Sequence, residues 1–201
     1  QGLAVSQKLV RNHPAVPDYE RILSTCLINM GETHRDRGEF AAAKQHYEQA
    51  LGIRQRFAET HPGLTDIDVD FAKRLRYLGE LHIVWDNSTD AVAYFERARL
   101  VYEKVLDTHP NEPESQSGLG RTWDGTGQAL AKLKQPDDAL SAYQRAIELQ
   151  RACLERTPQY QQYRDWLGEH LIHLAQHLRD QKRPSEAVAA VLELQKLFPE
   201  D

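Results

Sequence analysis

The chain has 201 residues, 40% hydrophobic and 27% charged, with a mean hydropathy of -0.66: enough apolar side chain for a core, with much of the surface left to water. A net charge of -5, a pI near 6.0 and the lack of any dense Lys/Arg block argue against nucleic acid or an anionic membrane as partner. No apolar run approaches the roughly 20 residues of a membrane-spanning helix, and the N-terminus carries no basic-then-apolar signal pattern, so the expected location is the cytoplasm.

In chain order, the first pattern is a repeat. Residues 1–14 (QGLAVSQKLVRNHP) align without a gap on residues 49–62 (QALGIRQRFAETHP), so the chain is expected to begin inside a repeat. Prolines at 14, 62, 110 and 158 then recur every 48 residues, a period that marks a stacked supersecondary unit. The expected organisation is the end of a preceding repeat at 1–14, full repeats at 15–62, 63–110 and 111–158, and a shorter fourth at 159–201, as part of a longer chain.

Each repeat splits into two helical patterns, with breaks near Gly38, Asp86-Asn87-Ser88, Gln135-Pro136 and Arg183-Pro184. In the first helices Leu23/Leu27/Met30, Phe71/Leu75/Leu78, Leu119/Trp123/Leu130 and Leu167/Leu171/Leu174/Leu178 fall at three- and four-residue steps, the spacing of one buried helix face. In the second helices Ala43/Tyr47/Ala50, Ala91/Phe95/Ala98 and Ala139/Tyr143/Ala146 set an aromatic knob between two small residues, which lets paired helices approach closely. Thr65 or Asp66, Ser88, Asn111 and Thr157 are the expected helix caps. With no sustained alternation of Val, Ile and Thr, the fold class is all-α: eight helices after Pro14, preceded by the tail of a ninth.

One further set of positions carries a family resemblance. Gly31, Gly79, Gly127 and Ala175 are each followed, 12 residues on, by Ala43, Ala91, Ala139 and Ala187; then come Tyr47, Phe95, Tyr143 and Val191, and Ala50, Ala98, Ala146 and Leu194. This pattern resembles the tetratricopeptide repeat over essentially the whole chain, with a period of 48 in place of about 34 and the proline displaced into the turn between repeats. The resemblance implies a right-handed α-solenoid of antiparallel helical hairpins. The segments LGIRQRFAETHPGLTD and EAVAAVLELQKLFPED are similar to the long repeats that follow serine/threonine protein kinase domains in planctomycete bacteria.

Catalytic patterns do not survive inspection. His34-Arg35-Asp36 spells a kinase catalytic loop, but the metal-holding Asn five residues on is Ala41, and no Asp-Phe-Gly occurs. His34 shares its repeat position with His82, Leu130 and Leu178, which points to helix packing. The glycines at 118, 120, 125 and 127 lie along a predicted helix rather than between a strand and a helix, so no phosphate cradle is expected. Gly127 repeats Gly31 and Gly79 at the close-contact position; the other three do not occupy it, and at about 1 kcal/mol each they predict a soft helix that frays or kinks. His170, His173 and His177 lie near one helix face without a recognised carboxylate partner, and are expected as surface or groove histidines rather than metal ligands. Cys26 and Cys153 fall in different repeats and predict two separate buried thiols. No catalytic residue, cofactor or metal is assigned, and the chain is expected to be non-enzymatic.

What remains is binding. First helices of stacked hairpins line a concave groove, and the residues beside their core stripe include Asn29 and Glu32, then Lys73, Arg76, Tyr77 and Glu80, then Arg121, Asp124, Gln128 and Lys132, then Ile172, His173 and Gln176. Lys73, Arg76 and Arg121 with Tyr77 suit a carboxylate or an acidic peptide. The expected function is a protein-interaction scaffold, in the non-catalytic region of a serine/threonine kinase or related signalling protein. The alternative is a self-association module: Pro199 comes only 41 residues after Pro158, and the last helix carries Val188, Val191, Leu192, Leu194, Leu197 and Phe198 where a terminal helix should be polar outside. Either a continuing parent chain covers this face, the favoured expectation, or two copies meet there.

Overall fold

The computed structural model describes residues 2–13, 16–61 and 63–198. Among them are nine helices and no strand: α1 (Gly2–Asn12), α2 (Pro17–Asp36), α3 (Phe40–Thr60), α4 (Thr65–Val84), α5 (Ser88–Thr108), α6 (Pro113–Lys132), α7 (Pro136–Arg156), α8 (Gln161–Asp180) and α9 (Pro184–Leu197). The 48-residue period is a 20-residue helix, a three-residue turn, a 21-residue helix and a four-residue turn, as in α4 and α5. The last odd helix, α9, has only 14 residues.

The two kinds of turn rest on different chemistry. Inside each hairpin, residues 38, 86, 134 and 182 all adopt left-handed backbone, with φ of 75°, 60°, 60° and 59°. The next amide donates back across the helix end: Glu39 to the His34 carbonyl at 2.9 Å, Asn87 to His82 at 2.8 Å, Gln135 to Leu130 at 3.0 Å and Arg183 to Leu178 at 2.9 Å. That six-to-one bond and left-handed residue define a Schellman stop. Between hairpins, Glu112 N–H donates to His109 at 3.0 Å and Tyr160 N–H to Thr157 at 3.1 Å. Pro110 and Pro158 sit at the second position of these turns, where proline's fixed φ is already correct. Pro14, Pro62 and Pro199 lie outside the described residues.

The helix caps differ from the expected ones. Thr65 and Ser88 are one residue inside their helices, Asn111 is a turn residue, Asp66 lies in the first turn of α4, and Thr157 closes α7. Asn87 caps α5 by accepting from the Asp90 amide, and Glu112 caps α6 by accepting from Glu114 and Ser115. The four-residue turn fixes where each helix can start, so capping falls to whichever side chain stands just before that point.

Packing follows the aromatic knobs. Ala43, Tyr47, Ala50, Ala91, Phe95, Ala98, Ala139, Tyr143 and Ala146 are all buried, each aromatic ring lying against a glycine of the preceding helix. Each helix packs on its chain neighbours, and α6 also touches α4 and α8, so α4, α6 and α8 form a continuous wall. The apolar sets of the even helices are buried or half-buried, as expected.

One expectation is corrected. Helix α6 runs unbroken from Pro113 to Lys132, and its extra glycines have packing partners. Gly118 receives the ring of Tyr102, Gly125 that of Phe95, and Gly120 faces the Ala146 carbonyl. Glycine here removes steric bulk where α5 and α7 both press on α6, a packing role that propensity alone does not display, and no kink interrupts the helix. Cys153 is buried and free, its thiol pushed up to about 11 by burial, while Cys26 is also free but only half-buried.

Candidate binding groove

The even helices present the predicted groove residues in register, 48 apart, but not all on the open side. One column, Ile28, Arg76, Asp124 and Ile172, is covered at its first three positions. Ile28 is buried, Arg76 is 1% exposed and Asp124 6% exposed, while Ile172, which no further even helix follows among the described residues, is 41% exposed. Arg76 and Asp124 are therefore wall-to-wall contacts rather than freely open groove residues. Asn29, Gln176 and Ile172 are exposed, and Glu32, Lys73, Tyr77, Glu80, Arg121, Gln128 and His173 are half-buried.

At the centre lies a compact charge group. The Arg76 guanidinium pairs with Glu80 one turn on and stands 4.8 Å over the Tyr77 ring. Arg121, from α6, reaches the same Glu80 carboxylate at 3.6 Å and stacks over Trp166 of α8 at 4.6 Å. Burial, then the neighbouring Arg76, pull the Arg121 guanidinium below its ordinary pKa; burial acts on Arg76 in the same direction, but Glu80 together with Tyr102 and Tyr77 outweighs it and holds that pKa above the ordinary value. Lys73 is paired with Glu114 at 3.2 Å. Two guanidiniums thus share one carboxylate beside a cavity of about 420 Å³ walled by Tyr77, Tyr160, Tyr163 and Trp166. Lys132 is committed elsewhere, donating to the Ile83 carbonyl at 2.9 Å and Asp86 at 3.1 Å.

The histidines are not the surface or groove set expected. His170 and His177 are buried, and His177 Nε2 is 3.0 Å from the Pro136 carbonyl. His173 is half-buried, with Nδ1 2.8 Å from an oxygen of Asp124, the carboxylate partner that spacing within α8 could not reveal. Among the described residues no group of three or more His, Cys, Asp or Glu is placed to hold a metal ion. His34 stacks on His46 with ring centroids 5.1 Å apart, the packing role its repeat position implied.

Residues 23–62 and 125–201 match two family models, each described as tetratricopeptide repeat. The chain belongs to the tetratricopeptide-repeat family. No curated protein matches the sequence. Among solved structures, aspartyl phosphate phosphatase F from Bacillus subtilis superposes with a TM-score of 0.67 at 17% identity, over 98% of this chain and 44% of that one. A Podosopora anserina kinesin light chain with TPR-like repeats gives 0.59 at 16% identity over 97% and 84%, and MamA gives 0.57 at 14% over 98% and 87%. At these identities the likeness is one of fold.

Tetratricopeptide solenoids are generally non-catalytic scaffolds that bind protein partners, and this chain has that architecture. None of its described helices is long and apolar enough to cross a membrane. The aromatic wall of the tetratricopeptide groove was the part missed from sequence. Tyr160, Tyr163 and Trp166 stand three apart at the start of α8, a spacing that signals one face. Their apolar character, however, reads equally as core.

Proposed function

We propose that this tetratricopeptide solenoid captures an acidic segment of a protein partner in its concave groove, around Arg121 and Lys73. The observation that carries the reading is the charge imbalance at Glu80: one carboxylate serves two guanidiniums beside an aromatic-walled cavity. A partner carboxylate would complete that group in a partly dry site, where charge-assisted hydrogen bonds are strong. Arg121 and Lys73 are the partner contacts, with Tyr77 and Trp166 as stacking walls; Arg76 holds Glu80 from beneath. Asn29, Glu32, Gln128, Ile172, His173 and Gln176 extend the same groove toward its ends.

The test is binding of a fluorescent array of Asp/Glu-rich peptides, with Lys/Arg-rich peptides of equal length as controls. Acidic peptides are expected to bind in a salt-sensitive manner, and the double variant Lys73→Glu/Arg121→Glu to lose about 2 kcal/mol or more, roughly 30-fold. Equal binding of basic peptides, or an unchanged variant, overturns the assignment.

Resemblance to the long repeats that follow kinase domains supports placing the chain in the non-catalytic region of a serine/threonine kinase or related signalling protein. Reading the encoding gene upstream for a complete H-R-D, Asn and Asp-Phe-Gly set tests that placement. A second reading, self-association, is favoured by one observation: Val188, Val191 and Leu192 of α9 are 56%, 42% and 52% exposed. Association through α9 would survive the groove charge reversal.

A further inference from the structure

Asp124 is a buried carboxylate that the groove reading does not use. It lies on α6, and α8 supplies two imidazoles beside it: His173 Nδ1 at 2.8 Å and 3.0 Å from its two oxygens, and His170 Nδ1 at 3.3 Å. Gln128, one turn on, donates to it at 2.9 Å. The half-buried carboxylates Asp70 and Glu80 of α4 are met by arginine, from α4 itself and from α3 and α6, although His82 of α4 also faces Asp90 of α5 at 3.7 Å. Asp70 meets Arg54 at 2.6 Å and Arg74 at 2.9 Å, and Glu80 meets Arg76 and Arg121. Arginine keeps its charge at any ordinary pH, whereas imidazole does not. The α4–α6 contact is therefore held by permanent charges, and the α6–α8 contact by titrating ones.

The surrounding groups leave His173 as the responsive element. On α7, Tyr143 packs against His173 with ring centroids 6.5 Å apart, and burial raises its phenol, keeping it neutral. On α8, Glu169 adds a weaker attraction for the His173 proton, and His177 is tied to the Pro136 carbonyl. On α4, α5 and α9, Arg76 pairs with Glu80, Arg99 with Glu96 and Glu103, and Glu193 with Arg151. Burial would lower His173, but its bond to Asp124 and that carboxylate's charge outweigh burial and raise it. Burial would raise Asp124, but the two imidazoles hold it well below the usual carboxylate range.

We propose that the α6–α8 junction is a proton-operated clasp: protonated His173, with His170 as a second imidazole facing the same carboxylate, holds the last helix pair against α6, and deprotonation loosens it. The sign follows from linkage. A raised His173 contributes stability that is complete below its unfolded value of about 6.5 and is lost as pH rises through the folded value. A depressed Asp124 contributes above about 3.9 and fails only in strong acid. The clasp is thus tight from about pH 4 to 6.5 and weakens toward alkaline pH. Because α6 and α8 both line the groove, loosening changes the groove's C-terminal half alone.

The readout must be local, because His82 on α4 acts in the opposite sense. Burial lowers its pKa, so its contribution falls as pH drops through about 6.5. Hydrogen exchange of α8 and α9 amides between pH 6 and 8, corrected for intrinsic rates and referenced to α4 and α5, measures the clasp. Protection of α8–α9 is expected to fall with rising pH in the native sequence and to become pH-independent in Asp124→Asn. A permanently charged His173→Lys variant is expected to hold protection at pH 8 as at pH 6. Unchanged native protection across this range, or the same loss in Asp124→Asn, overturns the proposal.

Discussion

At Gly127 a methyl group would come within 2.7 Å of the Tyr143 ring, and at Gly79 within 2.6 Å of Phe95. Both rings are buried, Phe95 between Gly79 and Gly125 and Tyr143 between Gly127 and the imidazoles of His173 and His177, which leaves little room to shift. Gly127→Ala is therefore an overpacking change, expected to cost about 1–3 kcal/mol despite alanine's better helix propensity. Gly52, in the middle of α3, has nothing within 4 Å of an added methyl. There only propensity acts, and Gly52→Ala should stabilise by about 0.5–1 kcal/mol. Urea denaturation of the two variants checks both signs; equal shifts would mean that ring contact does not govern these positions. The sequence makes Gly31, Gly79 and Gly127 legible because they repeat with their aromatic partners. Gly118 and Gly125 stayed opaque because the rings they accept, Tyr102 and Phe95, belong to the preceding hairpin, a pairing that no single-helix pattern displays.

On the scale of helices, lengths and breaks were readable because proline and the apolar spacing recur together, whereas the left-handed residue at the stop inside each hairpin carried a glycine signal only at Gly38. Its counterparts are Asp86, Lys134 and Lys182, held left-handed without glycine. Left-handed backbone costs an ordinary residue roughly 1–2 kcal/mol, tolerated here because the six-to-one bond closes each helix. Lys134→Gly should relieve most of that cost and raise stability by about 0.5–1 kcal/mol after the extra unfolded-state entropy of glycine. Gly38→Ala should lower it by a similar amount. Lys134 is the cleaner choice, because Asp86 also accepts from Lys132. Thermal unfolding of the two variants checks the opposed signs. The caps were misread for a related reason: sequence marks polar residues near a helix start, while turn length decides which of them stands at the cap.

Across the whole molecule, each helix leans only on near neighbours, so stability should vary along the stack rather than be shared evenly. Helix α1 buries only Ser6, and α9 only Ala190, whereas α4 and α6 are buried on several sides. The groove was legible as a line of first-helix residues. Its division into open positions and a column buried between helices was not, because Arg76 and Asp124 are charged and read as surface. The same column explains why the C-terminal end is distinctive: Ile172 is exposed where Ile28, Arg76 and Asp124 are covered, and α9 shows Val191 where Tyr47, Phe95 and Tyr143 are buried. In dilute solution amide exchange should therefore be fastest in α1 and α9 and slowest from α4 to α7, since opening an end helix breaks one interface and opening a central one breaks two. If a second copy covers α9, raising protein concentration should slow exchange in α9 and α8 while leaving α1 unchanged. Concentration-independent exchange in α9 would count against self-association through that face.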